Sequence, residues 1–403
     1  MLHILMLTTR IPYFPSHGHF ERTYNLIKYL HTYCNFWIIG FNPPEILKTN
    51  HAPLDHFTQE IISFSQSKPS LFVKYFHSCL KNNPFVLEKY FDKKIIFYLN
   101  KYARFCHILH FDILHMCQYI NCLTVGYKPI LVTEHNVETL RIKRLWKLEK
   151  NPFKKRILAR EIMLLKKYEV NLLNKTSAII AVSDYDKKFL EKMGVKRPIF
   201  VVPNAVDTQK IPYLRPSQNK NLLWFGSLLD PYNKDAVFFF LEKIWPLIKK
   251  EDPEVKFTVV GRGSRKFLRR FAKDDPSLIL RDFVPNLRQI VEEARIFVAP
   301  IRAGSGTKLK ILTAMAYGLP VVTTPIGAEG IHGENRRHFI VNNDIELFAQ
   351  NVLSLLQDYN YCQYISKNAR YLIQRRYSWQ EVSKKQLHIY QKFGTAFRAL
   401  MGT

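Results

Sequence analysis

The residues best suited to hold an anion lie in the run GSGTKLKILTAMAYGLPVVTTPIGAEGI, which begins at Gly304. Gly304 and Gly306 bracket Ser305. A helix is predicted from about Thr307, and Gly318 with Pro320 close behind marks its end. A glycine-rich turn feeding a helix N-terminus presents unpaired backbone N–H groups and the positive end of the peptide dipoles to whatever lies before it. Lys308 and Lys310 add charge at the same place. A diphosphate would suit such a site. The two lysines sit about 200° apart around a helix, so only one of them faces the anion. Taken by itself, the run also fits an ordinary strand-to-helix turn.

Other chemically suggestive residues read better as structure. Cys106, His107, His110, His115 and Cys117 crowd together in FCHILHFDILHMC, but they lack the paired CxxC or HxxxH spacing of a zinc site. Asp184 and Asp186 form a DxD. With Ser183 they read as the cap and first turn of the helix DYDKKFLEKMG rather than as metal ligands. Gly261-Arg262-Gly263 is a post-strand turn, with a phosphate contact through Arg262 as its second reading. No Ser-His-Asp or Cys-His constellation can be assembled.

The elements that must position these residues alternate. LHILMLT is an apolar run, IPYFPSHGH is punctuated by Pro and Gly, FERTYNLIKYLHTY has helical spacing, and NFWIIGF is apolar again. FDILHM, KPILVTE, SAIIAVS and PIFVVPN follow, and LLWFGS opens a second series with KFTVVG, LILRDFV, IFVAPI and PVVTT. Short apolar β runs separated by helices indicate α/β architecture with parallel sheets covered on both faces. Ligands in such sheets sit beyond the carboxyl ends of the strands. At 403 residues, 47% hydrophobic and 23% charged, the chain is globular and too long for one ordinary core. The stretch TQKIPYLRPSQNKN from Thr208 has two prolines and no periodicity, so it is the expected linker.

No run of about 18 apolar residues is present, and no transmembrane helix is expected. MLHILMLTTR lacks a basic leader and meets Arg10, so it reads as a buried strand rather than a signal peptide. The six cysteines are scattered and expected to be reduced, which points to the cytoplasm. A net charge of +27 calls for a polyanion: nucleic acid, an anionic membrane or phosphate-bearing substrates. The densest basic segment, RIKRLWKLEKNPFKKRILAREIMLLKKYEV from Arg141, holds eleven Lys or Arg against three Glu. Leu145, Trp146, Leu148 and Phe153 are interleaved with those bases. Two readings fit it: a solvated helical face, or a surface for anionic lipid headgroups at the membrane periphery, reaching to Lys167. No RRM, zinc finger or basic-helix motif appears, so nucleic acid is not an expected partner.

From about Leu222 to Ile331 the sequence resembles the retaining family 4, or group 1, glycosyltransferases, and within them the exopolysaccharide sugar transferases. The matching stretches are LLWFGSLLDPYNKDAVFFFLEKIWPLI, KFTVVGRG, LRDFVPNLRQIVEEARIFVAP and the Gly304 run, with YSWQEVSKK near the end. TTRIPYFPSHGH, FDILHM, TEHNVETLR, IIAVSDYDKKFL and VVPNAVD match more loosely in the first half. The resemblance implies the GT-B fold, two Rossmann-like domains with parallel sheets facing a central cleft. An acceptor-side domain spans 1–207 and a linker 208–220. A nucleotide-sugar-binding domain spans 221–376, and a C-terminal helix over 377–403 returns to the first domain.

It also implies transfer from a nucleoside-diphosphate sugar to a saccharide or lipid-linked acceptor with retention of configuration, with no metal and no further cofactor. His135 of TEHN would meet the donor sugar or its phosphate near the reacting centre. The loop around Gly18 would approach the substrates. Gly226 would let the second domain's first turn come close to the nucleotide, and Phe283 and Val284 would meet its base. Two departures stand out. Ser305 and Thr313 occupy the family's Glu-x7-Glu positions, so a hydroxyl replaces the carboxylate that holds the ribose and offers no charge. Ser227 and Tyr232 replace the usual Arg and Lys, leaving Lys234, Arg262 or Lys308 to compensate. A non-catalytic paralogue serving as a binding or scaffold subunit is the alternative that Thr313 supports.

Overall fold

A computed structural model of the chain describes residues 1–12, 18–42, 52–65, 78–79 and 82–401. These residues form two compact units, one of 1–203 with 379–403, the other of 204–378.

The first unit is built on seven parallel strands, β1 (Leu2–Thr8), β2 (Cys34–Phe41), β3 (Glu60–Phe64), β4 (Ile108–Phe111), β5 (Ile130–Glu134), β6 (Ala178–Ala181) and β7 (Ile199–Val201). They lie in the order β3-β2-β1-β4-β5-β6-β7, all pairs parallel. The second sheet has β8 (Asn221–Phe225), β9 (Lys256–Val260), β10 (Leu278–Arg281), β11 (Ile296–Ala299), β12 (Val321–Thr323) and β13 (Ile340–Val341) in the order β10-β9-β8-β11-β12-β13. Each is a doubly wound sheet in which the chain runs outward one way and then reverses. The reversal falls between β1 and β4 in one unit and between β8 and β11 in the other. Diverging connections leave a crevice at that point, past the carboxyl ends of the strands.

Burial explains why these runs became strands. β4, β6 and β11 are buried at every residue, as parallel strands covered on both faces must be. The larger core cluster, around Trp224, Phe240, Phe257, Phe297 and Phe348, belongs to the second unit. Helices cover the sheets: α1 (His19–Leu30), α2 (Lys93–Ala103), α3 (Glu138–Leu148), α4 (Pro152–Leu173), α5 (Asp184–Met193), α6 (Pro231–Phe239), α7 (Ser264–Asp274), α8 (Leu309–Tyr317), α9 (Ile345–Gln357), α10 (Tyr359–Arg376) and α11 (Trp379–Met401). Among the described residues no helix is long and apolar enough to cross a membrane.

Two segments find their places through a few residues. The last helix, α11, packs on β1 where Gly394 lets Leu2 approach. A Cβ at Gly394 would stand 2.5 Å from Leu2 Cδ2. The stretch 208–220 is fastened to the second unit by two arginines. Arg370 donates to the carbonyls of Thr208 and Ile211, and Arg295 to those of Ser217 and Gln218. The DxD is a helix cap: Ser183 Oγ accepts from Asp186 N at 3.0 Å, and the Ser183 hydroxyl donates to the Asp186 carboxylate at 2.5 Å.

Candidate functional site

The Gly304 run lies at the reversal point of the second unit. Three post-strand turns meet there or beside it. After β8, Gly226 N donates to Val260 O and Leu228 N to Arg262 O, both at 2.9 Å, which ties the first turn to the one after β9. Contact this close requires Gly261, since a Cβ there would fall 1.8 Å from Gly226 O. After β11 the chain turns through Gly304 at φ 113° and Gly306 at φ 70°, left-handed values that an L side chain resists. Ser305 and Thr307 are buried in this loop, and Thr307 O accepts from Asn204 Nδ2 at 2.9 Å.

Helix α8 begins at Leu309, two residues later than the spacing predicts, and Lys308 takes the N-cap position without a side-chain cap. The delay has a cause. Thr307 and Lys308 complete the irregular turn that two left-handed glycines start. It also separates the two lysines. Lys308 Nζ turns back to Gly306 O at 2.6 Å and Ser305 O at 3.3 Å, and stands 4.0 Å from Glu329. Lys310, on the first turn of α8, points toward the Gly226 turn instead. Its ammonium donates to Asn233 Oδ1 at 2.5 Å and lies 4.3 Å from the centre of the Trp224 ring. Burial pulls its pKa down to about 7, with Asp230 opposing and Lys308 adding to the shift. Thr313, three residues on, shares the Lys310 face of α8 and is half-buried.

The other expected donor contacts are more scattered. Lys234 Nζ lies 4.1 Å over the Phe267 ring, so its charge is turned toward α7. Arg262 is exposed. Val284 is half-buried against the core, while the Phe283 ring is 78% exposed. Ser227 uses its Oγ to hold Leu229 N at 3.3 Å within the turn. Arg302, just before Gly304, is neutralised by a bidentate pair with Asp235.

In the first unit, His135 follows β5 and Asp112 follows β4, beside the reversal point. His135 Nε2 donates to Asp112 Oδ1 at 3.2 Å, and both side chains are 3% exposed. Thr23 of α1 donates to the other carboxylate oxygen at 2.5 Å. Burial alone would raise the Asp112 pKa, but His135, His110 and Thr23 outweigh it and hold the carboxyl below its usual range. Fixing Nε2 as the donor leaves Nδ1 as the acceptor in the neutral ring. That atom is buried with no partner among the described residues, as is Nε2 of His19. The two rings lie 4.9 Å apart. His19 stays neutral, its pKa drawn to about 3 by burial first and by His135 next. Gly18, at φ 64°, is the N-cap of α1 and delivers His19 to this place.

The histidines of FCHILHFDILHMC are dispersed by the strand. His110 hydrogen-bonds Tyr390 OH at 2.6 Å and Thr133 Oγ1 at 2.7 Å, whereas His107 accepts from His3 N. The structure therefore adds Asp112, Thr23 and His19 to one cluster, and Trp224 and Asn233 to the other. Asp112 carries a sequence signal of its own: it is the first residue past the end of a strand, where ligands of parallel sheets gather.

Comparison with known proteins agrees with this architecture. The family model described as Glycosyltransferase Family 4 matches residues 59–210, and that described as Glycosyl transferases group 1 matches residues 219–358. An uncharacterized 44.6 kDa protein in the cps region of Klebsiella pneumoniae is 28% identical over 275 residues, covering 64% of this chain and 68% of that one. Phosphatidyl-myo-inositol mannosyltransferase of Mycobacterium leprae is 24% identical, covering 54% of this chain and 59% of its own length. Among solved structures, sucrose-phosphate synthase of Thermosynechococcus elongatus superposes with a TM-score of 0.72 at 14% identity, over 98% of this chain and 100% of that one. Anabaena HepE in complex with UDP-glucose gives 0.67 at 14% identity, over 97% and 100%. Identities this low speak for the fold. With both family models in register along its two Rossmann-like units, the chain belongs to the group 1, family 4 glycosyltransferases of the GT-B fold.

Proposed function

We propose that this protein moves a sugar from a nucleoside-diphosphate sugar to a saccharide or lipid-linked acceptor, retaining the anomeric configuration and using no metal ion. The observation that carries this reading is the cluster at the reversal point of the second sheet. Four positive-φ glycines, 226, 261, 304 and 306, bring backbone close to a lysine-bearing helix start. Backbone N–H groups and a nearby ammonium stabilise charge that gathers on a departing nucleoside diphosphate. In retention the acceptor hydroxyl attacks from the leaving-group face. Its oxygen bonds to the anomeric carbon as the carbon–phosphate oxygen bond breaks, and the departing phosphate takes the hydroxyl proton. No general base is required. His135, its Nε2 held by Asp112, assists by accepting a hydrogen bond from a sugar hydroxyl at Nδ1.

The relatives support a nucleotide-sugar donor and a lipid-linked acceptor, since one is solved in complex with UDP-glucose and another is named for phosphatidyl-myo-inositol. The deciding experiment is a melting-temperature screen against nucleotide sugars of different bases. A ligand that binds only the folded state raises the transition, by about 2.7 kcal/mol of stability at a hundredfold excess over Kd. Slow hydrolysis of the hit then separates enzyme from binding subunit. Binding without any turnover favours the scaffold reading, which Thr313 supports.

The start of α4 favours action at an anionic membrane surface. Its first turns are exposed on most faces and carry Phe153 and Ile157, 78% and 42% exposed, among Lys154, Arg156 and Arg160. Such a mixture suits an anionic lipid surface. Charge reversal at Lys154, Lys155 and Arg156 should abolish sedimentation with anionic vesicles, and salt should weaken it. Equal binding to neutral vesicles would overturn the electrostatic form.

A further inference from the structure

Of the described lysines near the Gly304 run, Lys310 is the one that reaches across to the Gly226 turn. A Cβ on Gly226 would stand 2.6 Å from its Nζ, so the ammonium lies against the turn that the donor is proposed to approach. Lys308 is spent on carbonyls of its own loop, Lys234 on Phe267, and Arg302 on Asp235. Lys310 has instead a neutral amide, Asn233 Oδ1, and the face of Trp224. We propose that Lys310 is the cation that meets the donor diphosphate, and that it takes up a proton from solvent as the diphosphate binds. This rests on the donor-site reading above.

The physical basis is an ammonium enclosed, among the described residues, without a carboxylate in hydrogen-bond contact. The residue as a whole is half-buried, but its charged end is enclosed. The charged groups acting on it are Asp230 at the head of α6, which favours the ammonium, and Lys308 on its own turn, which disfavours it. Burial dominates both and brings its pKa to about 7, so near neutrality a substantial fraction of the free protein holds Lys310 as the amine. A bound diphosphate supplies negative charge at close range and restores the ammonium. The amine gains one proton and nothing else changes covalently. By linkage, affinity is then highest at or below pH 7. It falls by up to about tenfold per pH unit as pH rises toward the pKa of the complex.

Calorimetry with UDP-, GDP-, dTDP- and ADP-glucose at pH 8, in buffers of differing ionisation enthalpy, tests this directly. The diphosphate diesters do not titrate in this range, so any proton counted belongs to the protein. Uptake close to one proton is expected with the tightest binder, together with weakening between pH 7 and 9. Lys310→Arg, permanently charged, should bind without the weakening between pH 7 and 9 and take up no proton. Lys310→Met should bind at least tenfold more weakly, also without uptake, at an unchanged Tm. Binding by the wild-type protein without proton uptake or pH dependence overturns the inference and leaves the donor site standing. So does undiminished uptake in Lys310→Arg. Failure of all four nucleotide sugars to bind overturns the donor-site reading itself.

Discussion

The two clusters are built from opposite materials. In the first unit the groups that matter are side chains: His135, Asp112, Thr23 and His19, drawn from α1 and from the ends of β4 and β5. In the second unit they are backbone turns, placed by Gly226, Gly261, Gly304 and Gly306, with one lysine inserted. Side chains that hold one another fix a proton inventory, here an imidazole whose donor nitrogen is committed to a carboxylate. Backbone turns fix a shape and a field of N–H dipoles and commit no protons. The first suits assistance to a reaction, and the second suits holding an anion.

The largest expected effect tests that division. His135→Ala should lower turnover by about 10²-fold as a hydrogen bond that positions the sugar is lost, while nucleotide affinity changes by less than about threefold. Release of nucleoside diphosphate at saturating donor, beside calorimetric binding, measures both. A parallel loss of affinity would break the comparison, because the imidazole would then belong to the anion site. Gly306→Val is the reciprocal change. At φ 70° the β-branched residue strains the turn by about 1–3 kcal/mol, and nucleotide affinity should fall by about 100-fold as the N–H groups shift. Unaltered affinity at unaltered Tm would place the anion elsewhere.

Asp112→Asn sharpens the picture of the first cluster. The amide keeps the shape but loses the charge that orients His135, so turnover should fall about tenfold and stability at pH 7 by about 1–3 kcal/mol. The Asp112 carboxyl lies below its usual range in the fold, so its contribution is present above the unfolded pKa. That contribution is lost as pH falls through the folded value. Urea unfolding at pH 7 and pH 3 should therefore show less acid loss in the variant, and an unchanged difference would remove Asp112 from the network. The smallest effect belongs to Thr313→Glu. A carboxylate on the Lys310 face of α8 should tighten nucleoside-diphosphate binding a few-fold through a charge-assisted hydrogen bond to the ribose. No gain would mean that the ribose is held by other groups.

What could be read from the chain alone differs between the clusters for the same reason. Glycine spacing, the helix stop at Gly318 and the alternation of apolar runs are local signals, because backbone conformation depends on neighbouring residues. They determined two doubly wound α/β units and placed the Gly304 turn within them. Two local details escaped. The start of α8 moved to Leu309 because two left-handed glycines lengthen the turn, and the segment 208–220 was fastened by Arg370 and Arg295 from distant positions. Side-chain partnerships across the fold left no such mark. Thr23 and Asp112 are 89 residues apart, and Lys310 and Asn233 are 77 apart. The direction of Lys310, the tautomer of His135 and the approach of α11 to β1 at Gly394 were decided only when the strands were stacked. Each depends on which atoms the tertiary structure brings within hydrogen-bond or van der Waals reach.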